Sequence, residues 1–225
     1  MCRSFSSSLT ELCLERVNVD PECFKDISLP NLYTLTLDDC GRGSPITASF
    51  LARSSPSLKH LHLCNRREGT FTREHGILAL LDLPPAQLLS LHVASCTHSP
   101  DLGEVVKQML QMGMFEKLRS MRFADFSLSV NVGHISGVVM PELRILQLPT
   151  VPEIEADNFS SLMAPSLQSL TFLYHGDGTN IFNKLEEVKE VLTHNADVPD
   201  GIKVRIHRQR HRFDRFDRLT DLNAG

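Results

Sequence analysis

The sequence lacks the apolar segments by which proteins enter or cross a membrane. None of its apolar runs is long enough to span a bilayer, and residues 1–8, MCRSFSSS, lack the apolar stretch of a secretory signal. We therefore expect a cytoplasmic or nuclear protein that has no membrane contact. In that reducing environment, we expect the six cysteines to be free thiols and not a disulfide framework.

The sequence also lacks the strong basic charge that is typical of nucleic-acid-binding proteins. Its net charge is −4 at pH 7, and we predict no nucleic-acid partner. The charge is uneven, because seven lysines and arginines against two aspartates lie between Lys203 and Arg218. Phe213 and Phe216 interleave with the arginines, as in some RNA-binding segments, but a solvated tail or an end cap is favoured. We expect residues 208–225 to form a polar, basic tail without ordered structure.

Local signatures of catalysis and of metal binding are missing as well. No CxxC or HxxxH spacing occurs around His60, His62 and Cys64, and the sequence contains no nucleophile motif. The glycine-rich segment GRGS at residues 41–44 is not followed by the Lys-Ser/Thr pair of a phosphate-binding loop. The sequence therefore predicts no enzymatic activity, no cofactor and no bound metal.

What the sequence does contain is a repeat. In residues 57–65, SLKHLHLCN, leucines occupy positions one, four and six of a short unit, and polar residues alternate with the last two leucines. This spacing predicts a short strand that buries one face. The same spacing recurs in units that begin at Leu9, Leu32, Leu58, Leu88, Leu118, Leu143 and Leu167. A last strand with alternating Ile202, Val204 and Ile206 is expected to close the array.

Segments with helical spacing lie between the predicted strands. The predicted helices cover residues 47–53, 72–81, 102–112, 154–163 and 179–194. A proline stands just ahead of five strands, where it suits a turn that leads into the strand: Pro30, Pro56, Pro85, Pro141 and Pro165. Alternating strands and helices predict an α/β fold with a parallel sheet, which is curved because the helices outside are bulkier than the strands inside.

The repeat resembles the leucine-rich-repeat family, whose unit is L-x-x-L-x-L-x-x-N/C-x-L. Cys40 and Cys96 occupy the ninth position, where the family places an inward side chain that hydrogen-bonds to the backbone, and Asn65 lies one residue short of it. The resemblance implies a leucine-rich-repeat solenoid over residues 1–207, with about seven irregular repeats plus the closing strand. It also implies that the sheet forms a concave face and that helices and loops form a convex face.

The side chains that alternate with the buried leucines should line the concave face. They are acidic in the first strands, rich in imidazole in the middle and basic in the last strand. We predict that a protein partner with the opposite polarity binds this face. The candidate binding residues are Thr36, Asp38, His60, His62, Cys64, His92, Arg122, Gln147 and Thr171.

The histidine-rich middle of this face has three interpretations. His60, His62, Cys64 and His92 are chemically suited to zinc, but two residues of strand rise place the Cβ atoms of His60 and His62 roughly 7 Å apart. His62, His92 and Arg122, in adjacent strands, are suited to an acidic or phosphorylated side chain. An exposed polar patch that contacts a protein partner is the interpretation that we favour.

The irregular repeats with cysteine at the ninth position resemble the C-terminal part of F-box proteins, particularly the divergent fungal ones. In that family the repeats select a substrate, while an N-terminal F-box recruits the ubiquitin-ligase scaffold. The resemblance implies that this chain is the substrate-recognition region of such a receptor. The sequence contains no F-box, and the first repeat starts at Leu9 without a cap before it. We therefore expect the chain to be the back part of a longer protein, or a protein whose first repeat is shielded by something else. A stand-alone scaffold or regulator without a role in ubiquitin transfer is the alternative.

Overall fold

A computed structural model describes most of the chain. The described residues are 7–65, 77–83, 87–95, 105, 108–109, 111–113, 116–125, 137–149, 156–174 and 180–208. Cys96 and Pro85 lie outside these residues, and so does the predicted tail beyond Arg208.

Eight strands form one sheet, in which every strand pairs in parallel with the next strand along the chain. They are β1 (Glu11–Glu15), β2 (Thr34–Asp38), β3 (His60–Asn65), β4 (Ser90–Ser95), β5 (Ser120–Asp125), β6 (Ile145–Pro149), β7 (Ser169–Tyr174) and β8 (Lys203–Arg208). This arrangement confirms the predicted α/β fold with a parallel sheet. Its regular order is consistent with a leucine-rich-repeat-like solenoid.

The register of the sheet aligns the repeats as the leucine spacing predicts. Leu35 lies beside Leu61, and Leu61 lies beside Leu91, so equivalent repeat positions form rows across the strands. In the six inner strands, β2 to β7, both side chains that point into the core are at most 1% exposed. The equivalent side chains of β1 and β8 are only partly buried. The inward side chains of a strand in this sheet are therefore fully buried only when the strand has a neighbour on each side.

Two α-helices contribute to the core on one face of the sheet. Helix α1 (Ser44–Arg53) buries Ala48 and Leu51, and helix α2 (Asn180–Thr193) buries Val188 and Leu192. Helix α2 confirms the prediction at 179–194. Helix α1 begins three residues before the predicted start because Pro45 suits the first turn of a helix. None of the helices among the described residues is long and apolar enough to cross a membrane.

Two of the predicted helices contain 3₁₀ structure instead. Within the predicted helix at 154–163 the structure has a 3₁₀ helix at Ala156–Ser161, and a second one occupies Ile77–Asp82. Residues 72–76 and 154–155 lie outside the described residues. Apolar spacing over six residues does not distinguish the two helix types. Of the predicted helix at 102–112, the described helical residues are Val105, Gln108, Met109 and Gln111.

Four of the predicted proline turns are β-turns of one kind. In each turn, proline is the second residue, and the N–H of the first repeat leucine donates to the carbonyl three residues earlier. The turns cover 29–32, 55–58, 140–143 and 164–167, with N···O distances of 3.0, 3.0, 3.2 and 3.0 Å. Proline favours this position because its ring fixes φ at the value that the turn requires.

Cys40 turns inward after β2, as the ninth-position pattern predicts. Its side chain is fully buried, and its Sγ donates to the carbonyl of Leu14 at 3.0 Å. Asp39, directly before it, has a φ of 54°. This left-handed residue interrupts the strand alternation and directs the next side chain into the core.

Asn65 makes a similar contact by a different route. It simply continues the alternation of Leu61 and Leu63, so its side chain points inward without a left-handed residue. It is fully buried, and its Nδ2 donates to the carbonyl of Gly41 at 3.0 Å. Gly41 has a φ of 78°, a left-handed conformation that favours glycine. Asn65 therefore acts as an inward ladder residue, although it lies one position before the consensus site.

Candidate functional site

The side chains that alternate with the core residues form the second face of the sheet, which we call the polar face. Because successive Cβ atoms of a strand point to opposite faces, the parallel register places these side chains in rows. Seven strand spacings of about 4.8 Å give each row a length of roughly 34 Å. The central row contains Cys13, Thr36, His62, His92, Arg122, Gln147, Thr171 and Arg205.

The structure brings most of the predicted binding residues together. Six of them lie in the central row on the six inner strands, and all six are partly exposed: Thr36, His62, His92, Arg122, Gln147 and Thr171. Asp38 and His60 lie in the two flanking rows and are also partly exposed. Eight of the nine predicted residues therefore share one accessible face.

His62 and His92 stack on each other in the middle of the polar face. Their ring centroids are 4.2 Å apart, and the ring planes differ by 4°. The stack follows from the register, which places the two residues directly opposite each other on adjacent strands. The Nε2 atoms of both rings are buried. The two imidazoles thus pack against each other and do not converge on a common point.

Burial lowers the pKa of both stacked imidazoles below the ordinary value of 6.5. For His92 the pKa is lowered strongly, and the charges of His62 and Arg122 add to the effect of burial. For His62 the charge of Asp38 opposes the lowering of the pKa, whereas Arg122 adds to it. Burial dominates because the imidazolium form loses its hydration. Both rings are therefore neutral at pH 7.

The stacked geometry removes the basis of the zinc interpretation. A zinc ion lies about 2.0–2.1 Å from each imidazole nitrogen, along the direction of its lone pair and in the plane of the ring. Since the rings of His62 and His92 are nearly parallel and stacked, one ion cannot lie in both planes. Among the described residues, no group of three or more His, Cys, Asp or Glu side chains is placed to hold a metal ion.

The electrostatics also make this site less favourable for binding a phosphorylated side chain. A phosphorylated side chain binds most strongly to several cationic donors, but the pKa values of His62 and His92 leave both rings neutral. Arg122 then supplies the positive charge of this group. The carboxylate of Asp38 lies close enough to His62 to raise the pKa of that residue. A phosphate at this point would meet one arginine and a nearby carboxylate.

Cys64 is not on the accessible part of the polar face. It is 4% exposed and lies directly beside Ala94 in the sheet, and the two residues belong to a small buried apolar cluster that also contains Ala124 and Leu173. Strand alternation alone selected Cys64 as a binding residue. The burial of Cys64 could have been predicted from the sequence, because small apolar residues, Ala94 and Ala124, occupy the same position in the next two strands.

Tyr33, which is not among the predicted binding residues, adds an aromatic side chain at the rim of the polar face. It is 45% exposed, and its ring contacts His60 edge-on with the centroids 5.0 Å apart. The N–H of His60 donates to the carbonyl of Tyr33 at 3.1 Å, which holds the two residues side by side. Burial lowers the pKa of His60. The sequence pattern that could have identified Tyr33 is its position directly after the first leucine of a repeat, where a side chain stays outside the core.

The two ends of the polar face carry opposite charges. Glu11 and Glu15 are exposed on β1, and Lys203, Arg205 and His207 are exposed on β8. Within the described part of the chain, these five residues form no ion pair. The polarity that the sequence predicts along the face is therefore present at its surface.

The all-parallel sheet, with strands spaced regularly along the chain, defines a repeat-like architecture. No known protein-family model matches the sequence, and no curated protein sequence matches it either.

Proposed function

We propose that this chain is a leucine-rich-repeat module that binds a protein partner on its polar face. The observation that carries the proposal is the central row, a continuous line of partly exposed polar side chains on six consecutive strands. The parallel sheet fixes the spacing of these side chains, so they form a preorganised surface. Broad, regular surfaces of this kind are those that repeat proteins use for binding other proteins.

The chemistry of the face suits polar and aromatic contacts with a protein. The stacked rings of His62 and His92 lie beside Arg122 in the central row, and Tyr33 extends the surface at one rim. Tyrosine and arginine contribute strongly to protein interfaces, because both combine a flat apolar surface with hydrogen-bond donors. We therefore expect Arg122 and Tyr33 to account for much of the binding free energy.

The resemblance to F-box proteins provides the proposed biological role. The strand pattern and the inward Cys40 are similar to the C-terminal repeats of that family. By analogy, the polar face selects a substrate for ubiquitin transfer, and the F-box that recruits the ligase lies outside this chain. In this role the chain provides a binding surface and no catalytic group.

Two matched double variants test the binding face. Arg122→Ala/Gln147→Ala removes two side chains from the central row, whereas Arg53→Ala/Gln111→Ala removes the same residue types at exposed helical positions outside the sheet. Wild type and both variants serve as affinity baits in an extract of cells that express the protein, and mass spectrometry quantifies the bound polypeptides. We expect a partner that the control variant retains and that the central-row variant binds about tenfold more weakly, a loss of about 1.4 kcal/mol. If no polypeptide distinguishes the two variants, the binding proposal is wrong.

The ubiquitin role is tested separately from binding. The half-life of the partner identified above is measured in cells with and without the protein. We expect a longer half-life in its absence, and co-purification of the ligase scaffold with the protein expressed from its native gene. An unchanged half-life would leave the binding face intact and favour the stand-alone scaffold.

A further inference from the structure

The two end strands of the sheet leave core side chains incompletely covered. Among the described residues, β1 pairs only with β2, and β8 pairs only with β7. Leu12 and Leu14 in β1 are partly exposed, as are Val204 and Ile206 in β8. Edge strands of this kind present unpaired backbone N–H and carbonyl groups that can pair with another chain.

The exposed side chains of the two end strands are complementary in charge. We extended the observed register by one strand beyond β8 and placed β1 of a second copy of the chain in that position. This alignment shows which residues of β1 lie opposite those of β8. In this register Lys203 lies opposite Glu11, and Arg205 lies opposite Cys13 and diagonal to both Glu11 and Glu15, while His207 lies opposite Glu15. Cross-strand pairs of opposite charge are favourable in a sheet.

The apolar side chains of the two end strands match in the same register. Val204 would lie opposite Leu12, and Ile206 opposite Leu14. These pairs continue the two core rows that run through the inner strands, where every equivalent side chain is at most 1% exposed. One added strand would therefore complete the core of both ends and satisfy the backbone of both edges.

We propose that copies of this chain associate head to tail, with β8 of one copy pairing in parallel with β1 of the next. The partner at each end is thus a second copy of this chain, and the sheet continues across the junction in its own register. Such a contact joins two different surfaces, so each added copy leaves the same two ends open for the next.

Symmetric pairing of like edges is disfavoured by the same charges. An antiparallel β1–β1 contact centred on Cys13 places Glu11 opposite Glu15. An antiparallel β8–β8 contact centred on Arg205 places that arginine opposite its own copy. Like charges directly opposite each other destabilise strand pairing. Of these three contacts, only the parallel β8–β1 contact combines opposite charges with matched apolar rows.

Charge reversal at each end tests this arrangement. Glu11→Lys/Glu15→Lys makes both ends basic, and Lys203→Glu/Arg205→Glu makes both ends acidic. Sedimentation velocity of the full chain over a range of concentrations and salt should show wild-type oligomers that dissociate as salt increases, because exposed charge pairs are screened. We expect each reversed variant alone to be monomeric at concentrations where wild type associates. A mixture of the two variants should associate again, because each basic end then meets an acidic one.

A control variant changes the net charge by the same amount as the β1 reversal but at a site outside both end strands. Glu186→Lys/Glu190→Lys lies on exposed positions of α2 and alters the charge by the same amount as the β1 reversal. It should associate like wild type. If the control variant also fails to associate, the proposal is wrong. It is also wrong if the mixture of the two reversed variants stays monomeric. A wild type that stays monomeric at every concentration would overturn it too, and would indicate that another segment or another protein covers the edges.

A disulfide between copies tests the register directly. Arg205→Cys places a thiol opposite Cys13 of the next copy, and the spacing of adjacent strands, about 4.8 Å, lies within the range of Cα separations that a disulfide allows. Within one copy these positions are seven strands apart, so the bond must be intermolecular. Mild oxidation should give a ladder of cross-linked oligomers on a non-reducing gel. The ladder should be lost in Cys13→Ser/Arg205→Cys, and a ladder that persists there would show that the predicted register is wrong.

Discussion

The six inner strands and the two end strands share one sequence pattern but differ in burial. Leu61 in β3 is 1% exposed, whereas Leu12 at the same repeat position in β1 is partly exposed. Both residues lie in the same core row, so the difference comes from the number of neighbouring strands and not from the repeat itself. In a solenoid, each unit buries its apolar face mainly against its neighbours. Stability should therefore be highest in the middle of the sheet and lower at the ends.

The largest effect is expected from shortening an inner core side chain. Leu61→Ala should lower the free energy of unfolding by roughly 2–5 kcal/mol, because it removes buried surface and leaves a cavity. Leu12→Ala, with a strand on one side only, should cost less than half as much. Urea denaturation of both variants measures the difference. Equal losses would contradict the contrast between inner and end strands.

A smaller loss of stability is expected from changing the buried amide at the end of β3. Asn65→Ala removes the hydrogen bond to the carbonyl of Gly41 and should cost about 1–3 kcal/mol. The matched change near the end of the sheet is Asn31→Ala, since the exposed amide of Asn31 also donates to a backbone carbonyl, that of Ser7. That change should lie within about 0.5 kcal/mol of wild type. Thermal or urea unfolding compares the two variants, and a larger loss for Asn31→Ala would reverse the proposed order.

The smallest change in the free energy of unfolding near neutral pH is expected from the stacked imidazoles on the inner strands. Burial lowers the pKa of His92 in the folded protein, whereas the unfolded chain retains the ordinary value of 6.5. The unfolded state then binds more protons as the pH falls below 6.5, so stability is complete above that pH and declines as the pH falls towards the lowered pKa. His92→Gln should reduce this decline relative to wild type in urea titrations at a series of pH values. If the two proteins lose stability in parallel on acidification, His92 does not carry this effect.

The strand positions and the register were predictable because both depend on a short periodic pattern. A leucine spacing of one, four and six recurs in successive repeats, and parallel pairing then fixes which residues lie side by side. The central row, including the neighbours His62 and His92, follows from that alignment alone. The proline turns were predictable for a similar reason, since proline restricts its own backbone.

The remaining features depend on contacts between repeats. The inward position of Asn65 depends on strand alternation continuing through that residue, whereas a left-handed Asp39 shifts the inward position after β2. The lowered pKa of His92 depends mainly on its burial in the sheet, with smaller contributions from His62 and Arg122 in the flanking strands. The burial of Cys64 depends on Ala94 and Ala124 in other repeats. No single repeat contains the information that determines these features.

Native-state hydrogen exchange of the backbone amides tests most directly whether stability depends on neighbouring strands. In dilute solution, where copies do not associate, we expect the strongest protection in β3 to β6 and weaker protection in β1 and β8, because the end strands can open with fewer broken contacts. Protection of β1 and β8 should increase selectively with protein concentration if the end strands pair between copies. Equal protection of end and inner strands in dilute solution would contradict the account.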